Sequence, residues 1–158
     1  MTGIDRIRDG LAAAEATGTR VWTPFHLILL SEALALTGKI EEGLAALDDA
    51  LAKAAISGVR GWDAEIHRLR GELTARLPYP DPAKTEDSFR TALAIAREQG
   101  TRGYELRAAT SLARLWAEQG RRADARAARG RLRLVHRGLR HAGPKRSKGP
   151  ARCAVLRG

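Results

Sequence analysis

The chain has 158 residues, of which 28 are Lys or Arg and 18 are Asp or Glu, for a formal net charge of +10. Hydrophobic residues at 44% are enough for one domain's core, but aromatics at 4% require a core of Ala and Leu on closely packed helices. No apolar run approaches the ~20 residues of a membrane span. The first turns are too charged for a secretory signal, and a single cysteine, Cys153, excludes an internal disulfide framework or a multi-cysteine metal site. The expectation is a cytoplasmic helical protein that does not enter the membrane.

Charge divides the chain in two. Residues 1–126 carry 18 basic and 18 acidic side chains, whereas 127–158 carry ten basic and none acidic. The high isoelectric point therefore belongs to the end of the chain, and an argument for nucleic-acid binding from bulk charge concerns those residues alone.

Taken in order, Ile4–Thr17 reads as the second helix of a helix pair. Phe25–Thr37 follows, with Leu27, Leu30, Leu34 and Ala35 at helical spacing and Gly38 as its stop. Ile40–Ser57 carries one stripe of Ile40, Leu44, Leu47, Leu51 and Ala54, and Glu41 and Glu42 in its first turn suit the helix dipole. A helix near Trp62–Leu77 is separated from one near Ala83–Gln99 by a loop over 77–82, where Pro78, Pro80 and Pro82 remove donors and force extended neighbours. Tyr104–Gln119 ends at Gly120, and a further helix starts over 121–127.

These elements repeat. Gly-x-Arg-x-aromatic occurs as Gly18, Arg20, Trp22, then as Gly58, Arg60, Trp62, and again as Gly100, Arg102, Tyr104, at spacings of 40 and 42 residues. Eight residues before each glycine stand Gly10-Leu11-Ala12, Ala50-Leu51-Ala52 and Ala92-Leu93-Ala94. Two features in fixed relation, three times over, mark a repeat protein. The units run over about 20–58, 60–100 and 102–127, preceded by a half repeat over 4–18. Helix pairs of this kind match the tetratricopeptide pattern. It calls for a small residue where the helices touch (Ser31, Gly71, Ala113), a turn glycine (Gly38, Gly120) and an alanine in the second helix (Ala50, Ala92, Ala125). The expected fold is all-α, a tetratricopeptide-like α-solenoid of helix hairpins with a disordered basic C-terminal tail over 128–158.

Three stretches carry a closer resemblance: Ala64-Glu65-x-x-Arg68-x-Arg70-Gly71-Glu72-Leu73, Phe89-Arg90-x-Ala92-Leu93-Ala94-Ile95-Ala96-Arg97-Glu98-Gln99-Gly100, and Glu105-Leu106-Arg107-Ala108-Ala109-x-Ser111-Leu112-Ala113-Arg114-Leu115-Trp116. With Gly10–Gly18 they resemble the C-terminal tetratricopeptide region of large bacterial signalling proteins. Those proteins place a class III adenylate/guanylate cyclase or winged-helix domain first, then a STAND-type ATPase module, then these repeats. The resemblance covers roughly residues 3–127 and stops after Ala127. Codons that encode Arg131–Pro144 can, read one base later, spell V-Y-G-W-F-T-E-G-F-D-T-P-D-L, the string with which that family continues. The tail therefore reads as a frameshifted repeat end. A basic nucleic-acid-binding arm and a degenerate gene remnant without selected function are the alternatives.

Motifs for chemistry are lacking. There is neither G-x-x-x-x-G-K-[ST] nor G-x-G-x-x-G after a strand, so no nucleotide cofactor is expected. His26, His67, His136 and His141 do not pair with a third ligand at metal-binding spacing, and His67 reads as a polar helix residue. Glu41/Glu42 and Asp48/Asp49 are adjacent acids that point apart on a helix, which suits a solvated face better than acid–base catalysis. Trp22, Trp62 and Tyr104 suit packing at unit junctions. No catalytic residue, metal or cofactor is expected. Stacked helix pairs instead offer a concave groove to a protein or peptide, or to the parent protein's own ATPase module. The repeat pattern directs Glu65, Arg68, Glu72, Arg107, Thr110 and Arg114 towards it.

Overall fold

A computed structural model of the chain describes residues 2–18 and 21–127. The expected tail over 128–158 and Arg20 of the first repeat motif lie outside these residues. Among those described, all regular structure is helical, in the order α1 (Gly3–Ala16), α2 (Thr23–Leu36), α3 (Ile40–Ser57), α4 (Asp63–Thr74), α5 (Pro82–Glu98) and α6 (Arg102–Glu118), with a further helical turn over 122–127. The all-α expectation therefore holds, and no described helix is long and apolar enough to cross a membrane.

Local chemistry sets the boundaries. Thr2 and Asp5 close a capping box on α1, with Thr2 N donating to Asp5 at 2.6 Å and Asp5 N donating to Thr2 Oγ1 at 3.3 Å. Those bonds, the backbone one first, hold the Asp5 carboxyl below its ordinary value. Asp81 caps α5 by accepting from Ala83 N and Lys84 N, and Pro82 at the first helical position supplies a pre-set φ. Helix α4 stops at Thr74, short of the expected Leu77, because Leu77 precedes a proline and is pushed out of helical geometry. Gly58 closes α3 at φ 71°, a left-handed turn that would strain any residue with a Cβ. Gly18, Gly38, Gly100 and Gly120 take the same conformation at other helix ends.

Each helix packs on its neighbours in sequence, most extensively α2 on α3 and α4 on α5, and α4 also touches α6. The crossings use small residues, as the sequence pattern requires. Ser31 is fully buried opposite Gly43, where an added Cβ would come within 3.1 Å of the Ser31 carbonyl oxygen and 2.7 Å of Leu73 Cδ2. Gly71 lies against the Phe89 ring, whose Cε1 is 2.6 Å from where a Cβ would stand. Ala50 and Ala92 are 0% exposed, and Ala113 and Ala125 are buried. The main core gathers Leu27, Leu34, Leu47, Ile66 and Leu69, with Ile4, Ile7 and Leu11 of α1 leaning on its edge. Arg76 reaches back from the α4–α5 loop to donate to the Ala35 carbonyl at 2.7 Å, which satisfies the C-terminal end of α2.

The aromatic side chains divide. Trp22 and Trp62, at the N-termini of α2 and α4, lie 6.2 Å apart between ring centroids and tilted by 52°, and Phe25 lies 5.0 Å from Trp62. Tyr104 is partly buried near Glu65, and burial first, then that carboxylate, raises its hydroxyl above the ordinary value.

Candidate functional site

The six residues expected at a groove come from α4 and α6, and the structure separates them. Helical spacing places Glu65, Arg68 and Glu72 on one face of α4. The Arg68 guanidinium takes Glu65 in a two-point grip, Nε to Oε2 at 2.9 Å and Nη2 to Oε1 at 2.7 Å, and its Nη1 donates to Glu72. From α6, Arg107 Nη2 adds an ion pair with Glu65 Oε1 at 2.8 Å and Ser111 Oγ donates to Glu72 Oε1 at 2.9 Å. The result is a charge-balanced network of two arginines and two glutamates across the α4–α6 contact.

Glu65 and Arg68 are each only 5% exposed, so the expectation that they face an open groove is corrected. The physical reason is their mutual neutralisation: a carboxylate and a guanidinium can be buried where each satisfies the other bidentately. Burial works against the charged form of Arg68, but Glu65 and then Glu72 outweigh it and raise its pKa above the ordinary arginine range. Glu72 and Arg107 stand at the edge of this network, at 33% and 52% side-chain exposure. Thr110 and Arg114 are exposed, with the Thr110 hydroxyl donating back to Leu106 O at 2.7 Å.

Beside the network, the C-terminal ends of α4 and α6, with Phe89 of α5, form an open cleft lined by charged, polar and apolar side chains, among them Glu72, Arg76, Phe89, Ser111, Arg114 and Glu118. It brings together two of the expected residues, Glu72 and Arg114, and adds Arg76, Ser111 and Glu118. Glu72 is already engaged, whereas Arg114 and Glu118 make no ion pair among the described residues. Such a surface can grip a segment that carries both charge signs.

A second cluster was not anticipated from the sequence. Arg121 and Arg90 lie over the Trp116 ring at 5.0 and 6.0 Å, and both hold Glu86, at 2.7 Å each. Partial burial raises the Glu86 carboxyl, but the nearby Trp116 indole N–H and the two arginines outweigh it, so its pKa lies below the ordinary value. The Glu86–Arg90 spacing was the one visible signal. Among the described residues no group of three His, Cys, Asp or Glu side chains is placed to hold a metal ion.

His67 lies half-buried on α4. Burial first, then the charge of Arg70, lowers its pKa below 6.5, against the opposing pull of Asp63 and Asp87. The unfolded chain then binds this proton more readily than the folded one. The His67 contribution is intact above pH 6.5 and is lost as pH falls from there towards the lower folded value. Urea midpoints measured across that interval should fall with pH, and His67→Gln should flatten the slope. An equal slope in the variant would assign the titration elsewhere.

No family model matches the chain. Over 120 residues, 76% of its length, it is 32% identical to a protein of Rhizobium meliloti (strain 1021) described as uncharacterized. The chain spans 12% of that relative, so the similarity lies within a far longer protein.

Proposed function

We propose that the chain is a tetratricopeptide-like interaction or intramolecular regulatory module, without catalysis of its own, from a cytoplasmic signalling protein of the cyclase/ATPase type. The observation that carries this reading is the α4–α6 cleft. Arg114 and Glu118 line it with no ion pair among the described residues, and the buried Arg68 holds the lining Glu72. Support for the hairpin architecture comes from Ser31, Gly71 and Ala113 at or near the crossings and from the turn glycines Gly38 and Gly120. Placement in a larger regulator is supported by a match confined to 12% of a long relative and by the resemblance of residues 3–127. The partner is a protein or peptide, or the parent's ATPase module.

A photo-crosslinking residue at Glu118, on the cleft, tests this against one at the exposed Ala94 on α5. In the native cells the Glu118 probe should capture a polypeptide, and Arg114→Glu should remove that product. Equal capture from Ala94, or indifference to Arg114→Glu, counts against the cleft. If the chain instead retains nucleic acid in a salt-dependent way and truncation after Ala127 abolishes retention, the basic tail is the working part.

A further inference from the structure

The last described residue, Ala127, lies at the edge of an apolar groove. Asp124 and Ala127, on the helical turn over 122–127, line it with Leu93 of α5 and with Ala109, Leu112 and Trp116 of α6. The charged side chains at this groove are already engaged: Arg97 holds Glu105 at 2.9 Å, and Asp124 holds Arg121 at 2.9 Å. What it offers is therefore apolar, with Ala109 and Leu112 buried and Leu93 and Trp116 half-buried. Its volume of about 170 Å³ is below the ~300 Å³ at which small-molecule pockets begin, so it suits side chains of a polypeptide.

The sequence after Ala127 carries the matching surface. Ala125, Ala128, Leu132, Val135 and Leu139 recur at alternating steps of three and four, the spacing of one helical face, and Ala125 is already buried. Arg131, Arg133, Arg137 and Arg140 fall off that face. Register supplies a second argument. Two repeat periods before Ala125, Ala128 and Leu132 stand Gly43, Ala46 and Ala50, all buried in α3. Ala50 shares the main core with Leu27 of α2, and two periods after Leu27 stands Ala109, in the groove. Leu27 with Ala50 thus becomes Ala109 with Leu132, the same two side chains in exchanged places, a change that conserves core volume.

We propose that the chain's own residues 128–139 dock in this groove, setting Ala128, Leu132 and Val135 against Leu93, Ala109, Leu112 and Trp116. No long loop has to close, because Ala128 is bonded to the lining Ala127, and a separate partner would lose translational freedom that this segment does not have. The stretch that charge alone marks as a basic tail then stabilises the helices before it through its apolar stripe, and its arginines stay on the outer side. The groove shares no lining residue with the α4–α6 cleft, so this docking and partner binding at the cleft stand or fall separately.

The test compares two leucines of the segment in the full chain. Leu132 lies on the stripe, and Leu134, two residues on, falls on the opposite side at helical spacing. Leu132→Asp should lower the thermal midpoint by at least about 4 °C, whereas Leu134→Asp, the same chemical change, should leave it in place. Truncation after Ala127 should lower it at least as far as Leu132→Asp. Hydrogen exchange read by mass spectrometry gives a local measure that does not depend on global stability. Amides of 128–139 should exchange slowly in the unaltered chain and in Leu134→Asp, and at free-peptide rates in Leu132→Asp, with α2 and α3 unchanged. Equal effects from the two leucines, or free-peptide exchange of 128–139 in the unaltered chain, overturn the proposal. So does a dimer in sedimentation that Leu132→Asp turns into a monomer, because the segment would then cover the groove of a second copy.

Discussion

Replacing Arg68 by Met should cost about 3–5 kcal/mol of unfolding free energy, the range found when one member of a buried ion pair is removed. Arg68 alone contacts both Glu65 and Glu72, and it is the buried cation of the network. Without it, Glu65 keeps a single ion pair with the half-exposed Arg107, and a carboxylate at 5% exposure has lost most of its compensation. A single domain has about 5–15 kcal/mol in total, so the variant should be close to unfolding at ambient temperature. The paired change Glu65→Leu with Arg68→Met removes both charges together and should recover most of the loss, because Arg107 and Glu72 can turn to water. Urea denaturation of the two single variants and the double closes the cycle. A loss under about 1 kcal/mol for Arg68→Met alone would mean that the pair behaves as a solvated surface bridge.

This network also shows where the sequence stopped being legible. The helical elements, the buried small residues Ser31, Gly71, Ala50 and Ala92 and the left-handed glycines at helix ends were readable, because each reflects a local requirement of helix packing or backbone geometry. Ile40–Ser57 was placed to the residue, since Gly58 and the apolar stripe fix both ends. Burial of charge was not readable. Glu65, Arg68 and Glu72 have the spacing of an exposed helical face, and only the approach of α6, with Arg107 and Ser111, turns that face inward. A local pattern cannot register a contact that depends on residues about 40 positions away. The Trp116 cluster was missed for the same reason: Glu86 and Arg121 meet only because the turn after α6 returns over α5. Of the expected groove residues, Arg114 alone was placed by sequence on the cleft with no partner already engaged.

The second large effect concerns the contact of Phe89 with Gly71. Phe89 is 3% exposed and its ring fills the space that the missing Gly71 side chain leaves, so Phe89→Ala should destabilise by about 3–5 kcal/mol through lost burial and the cavity it opens. The complementary change distinguishes a fitted contact from general hydrophobicity. Gly71→Ala gains about 1 kcal/mol in intrinsic helix propensity. Its Cβ, however, would stand 2.6 and 2.7 Å from Phe89 Cε1 and Cδ1, well inside normal contact, and the rigid ring can yield only by moving α5 away from α4. Overpacking of that kind costs about 1–3 kcal/mol, so the net change is expected to be a loss. Combining Gly71→Ala with Phe89→Leu gives the new methyl group room where the ring stood, and the pair should be more stable than the sum of the two single losses predicts. Strict additivity in that cycle would show that Gly71 and Phe89 do not share one packing site and that the close approach of α4 to α5 is set by other residues.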